Sequence, residues 1–385
     1  PGPDSIGAVA ISHSCGGVAA RACGLVGLEP IKVAEIVKSR HHWLQDCRHA
    51  EILATFNADR GGLVELVHTQ MYAPTTLAPP RDFCTLRYTC CMEDGSLAIC
   101  ERSLAATQGE QASPPTPGFV RTEMLPSGYL IRPHENGGSM VFVVDNLNFE
   151  SGSIPGVLRP LYESATIFVQ KMTYRVLCHL QCIAREMVGG ISAANQQATS
   201  LRGFSRRLVR GFNSAVNCLT DDGWISILSD RPGTVSVCMN PSPNCRRIGQ
   251  FDSLSSISPV GGGIICAKAS ILLQGVAPAS FVRFMQEHRT AWTELDGGSC
   301  QVTTSRTSTS SALRGGKYSS VQVLQPAVGQ DEILEVVRLE GQRPLKGDNA
   351  GRHETFLLQL CSGIDETSVG GYAQLIFAPI DASVP

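Results

Sequence analysis

Two arginines carry most of the chemistry this sequence can offer. Arg87 closes the run Phe83-Cys84-Thr85-Leu86-Arg87, and the period of a strand puts Phe83, Thr85 and Arg87 on one face. On the preceding strand the same period groups Val64, Leu66, His68, Gln70 and Tyr72. Apolar side chains mixed with a few polar ones suit the wall of a cavity for a hydrophobic ligand. Arg40 and Trp43 stand where a short helix ends. A guanidinium there is either an exposed helix-end cation or, if buried, a group that needs an anion.

Other chemistry lacks its constellation. There is no Gly-x-Ser-x-Gly elbow, no Gly-x-x-x-x-Gly-Lys-Ser/Thr phosphate loop, no Gly-x-Gly-x-x-Gly and no His-Glu-x-x-His, so no enzyme class is indicated. His41 and His42 are adjacent, a poor geometry for sharing one metal ion. The 15 cysteines include no Cys-x-x-Cys pair and are expected to be reduced, mostly buried, in a reducing compartment. Arg202, Arg206, Arg207 and Arg210 cluster on an expected helix, but no aromatic platform accompanies them, and a solvated face accounts for them. Net charge is only -2 and 17% of residues are charged, so charge does not nominate a nucleic acid as partner. No stretch is apolar over the roughly 18 to 20 residues of a membrane span.

The elements that must hold these residues follow from periodicity. A chain of 385 residues is too long for one ordinary core, and two domains are the simplest division. Segments 5–12 and 18–26 read as a hairpin around Cys15-Gly16-Gly17. A helix follows with Pro30 in its first turn and Val33, Ile36 and Val37 at helical spacing. Strands are expected over 52–56, 63–72, 83–91, 97–103, 118–125, 129–133 and 140–144, forming a long antiparallel sheet with turns such as Glu93-Asp94-Gly95. From Leu158 to Glu186 apolar residues including Phe168, Met172, Val176 and Leu180 recur every three or four positions, which predicts one long amphipathic helix across that sheet. A sheet gripping a helix can leave a cavity between them. The polar stretch 189–200 reads as a linker, and the Ser/Thr-rich stretch 299–316 as a loop. The pattern Gly, x, x, Pro, helix, basic patch, Trp occurs at 27–43 and again at 275–292, so the second domain is expected to repeat a related α+β plan.

The segments Arg81-Asp82-Phe83-Cys84-Thr85-Leu86-Arg87-Tyr88, Glu93-Asp94-Gly95-Ser96, Glu101-Arg102-Ser103 and Leu125-Pro126-Ser127-Gly128-Tyr129-Leu130-Ile131 resemble the START lipid-binding family in order and spacing. Ala19-Ala20-Arg21-Ala22-Cys23-Gly24-Leu25-Val26, Phe212-Asn213-Ser214-Ala215-Val216-Asn217 and Phe377-Ala378-Pro379-Ile380-Asp381 narrow the resemblance to the class III homeodomain-leucine zipper proteins of land plants. That family has Trp where this chain has Cys84. The resemblance implies a helix-grip START domain over 1–187, a linker over 188–200 and a START-associated α+β domain over 201–385. It also implies that a first helix and strand, a homeodomain and a zipper precede Pro1, and that a MEKHLA-type sensor domain follows.

What the resemblance implies for function is a regulatory region that binds a hydrophobic ligand in a nuclear transcription factor of plant development. That factor dimerises through its zipper and contacts DNA through its homeodomain. Positions 68 and 87 match the pair that sets an acid against a buried arginine in sterol-binding relatives. With His68 at the acid's place, Arg87 pairs either with a phosphate or carboxylate ligand or with a protein carboxylate. Arg40 and Trp43 match the Arg-x-x-Trp-Asp segment that meets lipid phosphate in relatives of the phosphatidylcholine transfer type, with Leu44 at the acid's place. Phe83 fits a choline cage, whereas His68 and Leu125 occupy its other positions. The expected lipid contacts are Arg40, Trp43, Leu66, His68, Gln70, Tyr72, Phe83, Thr85, Arg87, Phe168 and Met172, with phospholipid favoured over sterol and no metal or cofactor. A ligand-independent scaffold and a lipid-transfer protein are the competing readings.

Overall fold

The computed structural model describes residues 5–11, 18–58, 61–73, 79–104, 112–135, 137–147, 165–188, 193–228, 235–241, 263–269, 271, 273, 275–288, 300–303, 332–341, 353–362 and 373–380. The chain divides into two compact units, one of residues 1–180 with 210–273 and the other of 181–209 with 274–385.

The first unit is built on a nine-stranded sheet. Its strands are β1 (Ser5–Ile11), β2 (Val18–Val26), β3 (Cys47–Asn57), β4 (Leu63–Met71), β5 (Arg81–Cys91), β6 (Leu97–Ser103), β7 (Val120–Arg121), β8 (Ser127–Pro133) and β9 (Ser139–Leu147). They lie in the order β1-β2-β9-β8-β6-β5-β4-β3, antiparallel throughout, with β7 added parallel to β5. The expected hairpin of β1 and β2 forms, although its turn at Cys15-Gly16-Gly17 lies outside the described residues. The β5–β6 turn forms because Gly95 takes a φ of 77° at no steric cost and Asp94 accepts hydrogen bonds from the Ser96 amide and hydroxyl, both at 2.9 Å. At Gly128 the chains approach so closely that a Cβ would lie 2.0 Å from the Ile99 carbonyl oxygen.

One face of this sheet carries the core. Strand pairing aligns Ile131 with Val141 and with Leu97, and Tyr129 with Val143 and with Ile99. Ile99, Ile131, Val141 and Val143 are buried. Helix α1 (Pro30–Lys38) opens with proline, whose missing N–H costs nothing there, and packs Val33, Ala34 and Val37 against β6 and β8. The one-turn helix α2 (Arg40–Trp43) follows. Helix α3 (Ala165–Val188) supplies Val176, Leu177 and Leu180 to the interior. Each buried aliphatic side chain contributes roughly 1.5–3 kcal/mol. The expected start of that helix at Leu158 lies outside the described residues.

The stretch expected as a linker over 188–200 is corrected in part. Helix α4 (Ala193–Asn217) begins inside it, because Ala193, Ala194 and Ala198 are strong helix formers and Gln196 and Gln197 good ones despite their polarity. Residues 210–273, expected in the second domain, group with the first unit. Within that unit Asn217 donates to the Ala73 carbonyl at 3.1 Å and accepts from the Ala73 amide at 2.9 Å, while Asn213 donates to Asp46 at 3.2 Å. Arg48 grips Asp222 with contacts of 2.7 and 3.1 Å. Strands β10 (Ile225–Leu228), β11 (Ser236–Pro241) and β12 (Gly263–Lys268) form a small antiparallel sheet.

The second unit holds helix α5 (Pro278–Glu287) and an antiparallel four-stranded sheet of β13 (Cys300–Thr303), β14 (Glu332–Gly341), β15 (His353–Ser362) and β16 (Gln374–Ile380) in sequence order. Helix α5 repeats the Pro-first opening of α1. The basic patch and Trp292 expected after it lie outside the described residues. Residues 300–303 of the expected loop at 299–316 are instead strand β13, and the other positions lie outside the described residues.

Candidate functional site

A cavity of about 90 Å³ lies between the core face of the sheet and helix α3; its walls include Arg40, Trp43, Thr69, Phe83, Glu101 and Tyr129. Val176 of α3 and Asp145 of β9 also line it. A larger depression of about 850 Å³ is lined by Val64, Leu86, Tyr88, Leu130, Phe142 and Val144 and is almost wholly apolar. It lies mainly on the opposite face of the sheet and is more open. The smaller cavity is the candidate site, because it sits where a sheet grips a helix and because buried charged groups converge on it.

The charged groups form two sets. Arg40 makes a two-pronged pair with Glu101, with a 2.8 Å contact between Nη1 and Oε1 and a second, shorter one between Nη2 and Oε2. Thr85 donates its hydroxyl to Glu101 Oε1 at 2.6 Å. Burial works to raise the Glu101 carboxyl, but Arg40 and these hydrogen bonds outweigh it and hold the group below its ordinary range. Burial likewise opposes the Arg40 charge, and Glu101 more than restores it. In the second set Arg87 donates to Glu65 at 3.0 Å and to the Lys38 carbonyl at 3.2 Å, and Lys38 lies 3.0 Å from Glu65. Burial pushes Glu65 up, but hydrogen bonds from Lys38 and Arg87 prevail and lower it.

Asp145 behaves differently. It lies half-buried in the cavity wall, accepts a hydrogen bond from Thr173 at 2.9 Å, and has no ion-pair partner within 4 Å among the described residues. Burial raises its carboxyl above the ordinary range, and the Thr173 bond only partly offsets this. Burial also pushes the Tyr129 phenol up, so it stays neutral. Two polar atoms of residues in the wall, Trp43 Nε1 and Thr69 Oγ1, are buried without a hydrogen-bond partner among the described residues.

The structure separates the expected lipid contacts. Arg40, Trp43 and Phe83 line the cavity. Thr85 and Arg87 lie on the same face of β5 but act through carboxylates, Thr85 on Glu101 and Arg87 on Glu65. Leu66, His68, Gln70 and Tyr72 do not share that face. Register pairs Glu65 with Arg87, Val67 with Thr85 and Thr69 with Phe83, so the core-facing set of β4 is Glu65, Val67, Thr69 and Met71. His68 instead meets Asp82 at 3.2 Å, Gln70 bonds Thr116 at 3.1 Å and accepts from Arg48, and Tyr72 donates to Asp222 at 3.3 Å. The acid facing Arg87 is therefore Glu65, and His68 never held its place. Leu66 pairs across the strands with Leu86. Helix α3 carries Phe168 and Met172, whose side chains lie outside the described residues. Glu101, Tyr129 and Asp145 were not expected at the site, and only the strand order, which sequence periodicity does not supply, places them beside Arg40.

Residues 1–182 match the family described as START domain. That stretch has the START fold. It has the α+β helix-grip fold, a curved antiparallel sheet closed by a long helix. Over the whole chain, identity is 50% to homeobox-leucine zipper protein HOX32 of Oryza sativa subsp. indica and 50% to homeobox-leucine zipper protein ATHB-14 of Arabidopsis thaliana. The chain spans about half of those proteins, 45% of the first and 46% of the second. Human StAR-related lipid transfer protein 5 resembles 48% of this chain over 84% of its own, with 20% identity and a TM-score of 0.39. Among the described residues no helix is long and apolar enough to cross a membrane, and no group of three or more His, Cys, Asp or Glu side chains could hold a metal ion. The described cysteines are free thiols; Cys47, Cys84, Cys238 and Cys361 are buried, whereas Cys91 and Cys100 are exposed.

Proposed function

We propose that this chain is the ligand-sensing region of a nuclear class III homeodomain-leucine zipper transcription factor of plant development. In this reading a hydrophobic ligand enters between the sheet and α3 and has no reaction performed on it. Its occupancy biases conformations of the whole protein that differ in dimerisation, DNA binding or activation, and can do so only to the extent that their affinities for the ligand differ. The zipper and homeodomain elsewhere in the protein supply dimerisation and DNA contact. The single observation that carries the reading is a cavity with buried, matched charges in the START domain of a chain half identical throughout to homeobox-leucine zipper proteins.

One observation favours a ligand-independent scaffold. The cavity's 90 Å³ falls below the roughly 300–1,000 Å³ of drug-sized ligand pockets. A whole lipid therefore requires α3 to move outward, and a scaffold requires nothing to move. Val176→Trp, which fills the cavity from α3, separates the two when built into the full-length factor. The sensor reading expects a folded variant whose reporter activation or DNA affinity changes by about 5- to 150-fold, the range of ordinary allosteric coupling. Activity equal to wild type in a folded, lipid-free variant makes the region a scaffold.

A further inference from the structure

Away from the cavity, one place in the first unit gathers thiols. Cys218 directly follows helix α4 and, at a φ of 45°, is the only described residue other than glycine in the left-handed backbone region. Glycine commonly ends a helix in this conformation, because a Cβ is crowded there. Here a thiol takes the position and donates to the Ala215 carbonyl at 2.8 Å. Cys266 of β12 donates to the same carbonyl oxygen at 3.6 Å. Cys238 of β11 is the direct antiparallel partner of Cys266, so the two side chains share a face of the small sheet. A hydrogen bond also joins the Cys238 thiol to that of Cys218.

These contacts set three free thiols, from one helix end and two strands, side by side. Cys238 is buried, whereas Cys218 and Cys266 are half-buried, so an oxidant from solvent meets one of the latter first. Burial, more than its neighbour Cys218, raises the Cys238 thiol, and the Lys268 ammonium opposes this only in part. Cys238 therefore stays a thiol at neutral pH and does not open the attack on an oxidant. Where thiols are kept reduced, the disulfides that do form are transient and redox-sensing rather than structural.

We propose that Cys218 and Cys238 are a reversible disulfide site, oxidised by a peroxide and reduced by a dithiol, whose closure clamps the end of α4 to the middle strand of the small sheet. The proposal is independent of the ligand reading. In its first step the Cys218 thiolate attacks one peroxide oxygen and the O–O bond breaks, giving a sulfenic acid and a hydroxide that leaves as water with the thiol's proton. The Cys238 sulfur then attacks the sulfenic sulfur. The S–S bond forms, the S–O bond breaks, and the hydroxyl leaves as a second water with the Cys238 proton. The two thiols are thereby oxidised and the peroxide is reduced. A dithiol reverses the bond by thiol–disulfide exchange. Because Asn217 already bonds the amide and carbonyl of Ala73, the closed bond ties β11 to that same joint.

The test treats the purified, fully reduced 385-residue chain with hydrogen peroxide and maps its cysteines by alkylation and mass spectrometry. The expected result is a peptide pair joined through Cys218 and Cys238, with both thiols lost to alkylation and both regained on adding dithiothreitol. The exposed Cys91 and Cys100 are expected to be oxidised without entering that link. Amide exchange in β10, β11 and β12 should slow on oxidation and recover on reduction. Cys218→Ser is expected to abolish the link and the slowing, and Cys266→Ser, which keeps the pair, to retain both. Cys218 and Cys238 that stay open to alkylation after peroxide, in a chain that keeps its circular dichroism, overturn the proposal. So does a link confined to Cys238 and Cys266, or a Cys218–Cys238 link that forms only in urea, since the native fold then does not bring the pair together.

Discussion

At the scale of single residues, Glu101 is the hub of the candidate site. It takes both prongs of Arg40 and the hydroxyl of Thr85 at 3% exposure. Glu101→Gln leaves a buried guanidinium without a counter-charge, and loss of one partner of a buried pair costs about 3–5 kcal/mol. Urea denaturation at neutral pH should show that loss as a lower midpoint with an unchanged slope. The carboxylates also set a pH dependence with two signs. Glu65, Asp82 and Glu101 are held below their ordinary range by their cations and hydrogen bonds, against the opposing effect of burial. Their contribution is present above the unfolded value of about 4 and is lost as pH falls through the lower folded values, so stability declines on acidification. Asp145 is raised by burial, so it costs stability above its folded pKa and the cost vanishes below its unfolded value. Asp145→Asn is therefore expected to raise the urea midpoint at pH 7 and to leave it unchanged near pH 3. A fall at pH 7 equal to that of Glu101→Gln would show that Asp145 is held charged by a partner.

Among the elements, most were legible from periodicity, and the failure on β4 has a physical cause. A strand's period is two whichever face is buried, so pattern alone gives no phase unless one face is polar. Here Val64 and Leu66 stand on one face and Val67 and Met71 on the other, and the first of these faces opens onto the apolar depression containing Leu86 and Tyr88. Only the pairing of Glu65 with Arg87 fixes the phase, and it depends on strand register. The role of the end of α4 was not legible either, because the partners of Asn213 and Asn217 lie far away in sequence. Asn217 satisfies both the amide and the carbonyl of Ala73, in a segment far away in sequence. Asn217→Ala should cost about 1–3 kcal/mol, the penalty of unsatisfied buried polar groups. Hydrogen exchange should then report faster exchange at Ala73 and in β10 to β12, with the core strands β6 and β8 unchanged. Uniform protection throughout would mean that this joint does not hold residues 210–273 to the sheet.

For the molecule as a whole, the START fold was legible and the ligand was not, since fold and pocket chemistry are separate questions. Both arginines that pointed to a phosphate have protein carboxylates as partners, and the cavity of about 90 Å³ is smaller than a whole lipid. The central claim is therefore occupancy, and lipid extraction with mass spectrometry of the purified chain tests it most directly. Wild type should retain one or a few apolar species near one molecule per chain, and Val176→Trp purified in parallel should lack them. Equal traces in both proteins, at far below one molecule per chain, would contradict it.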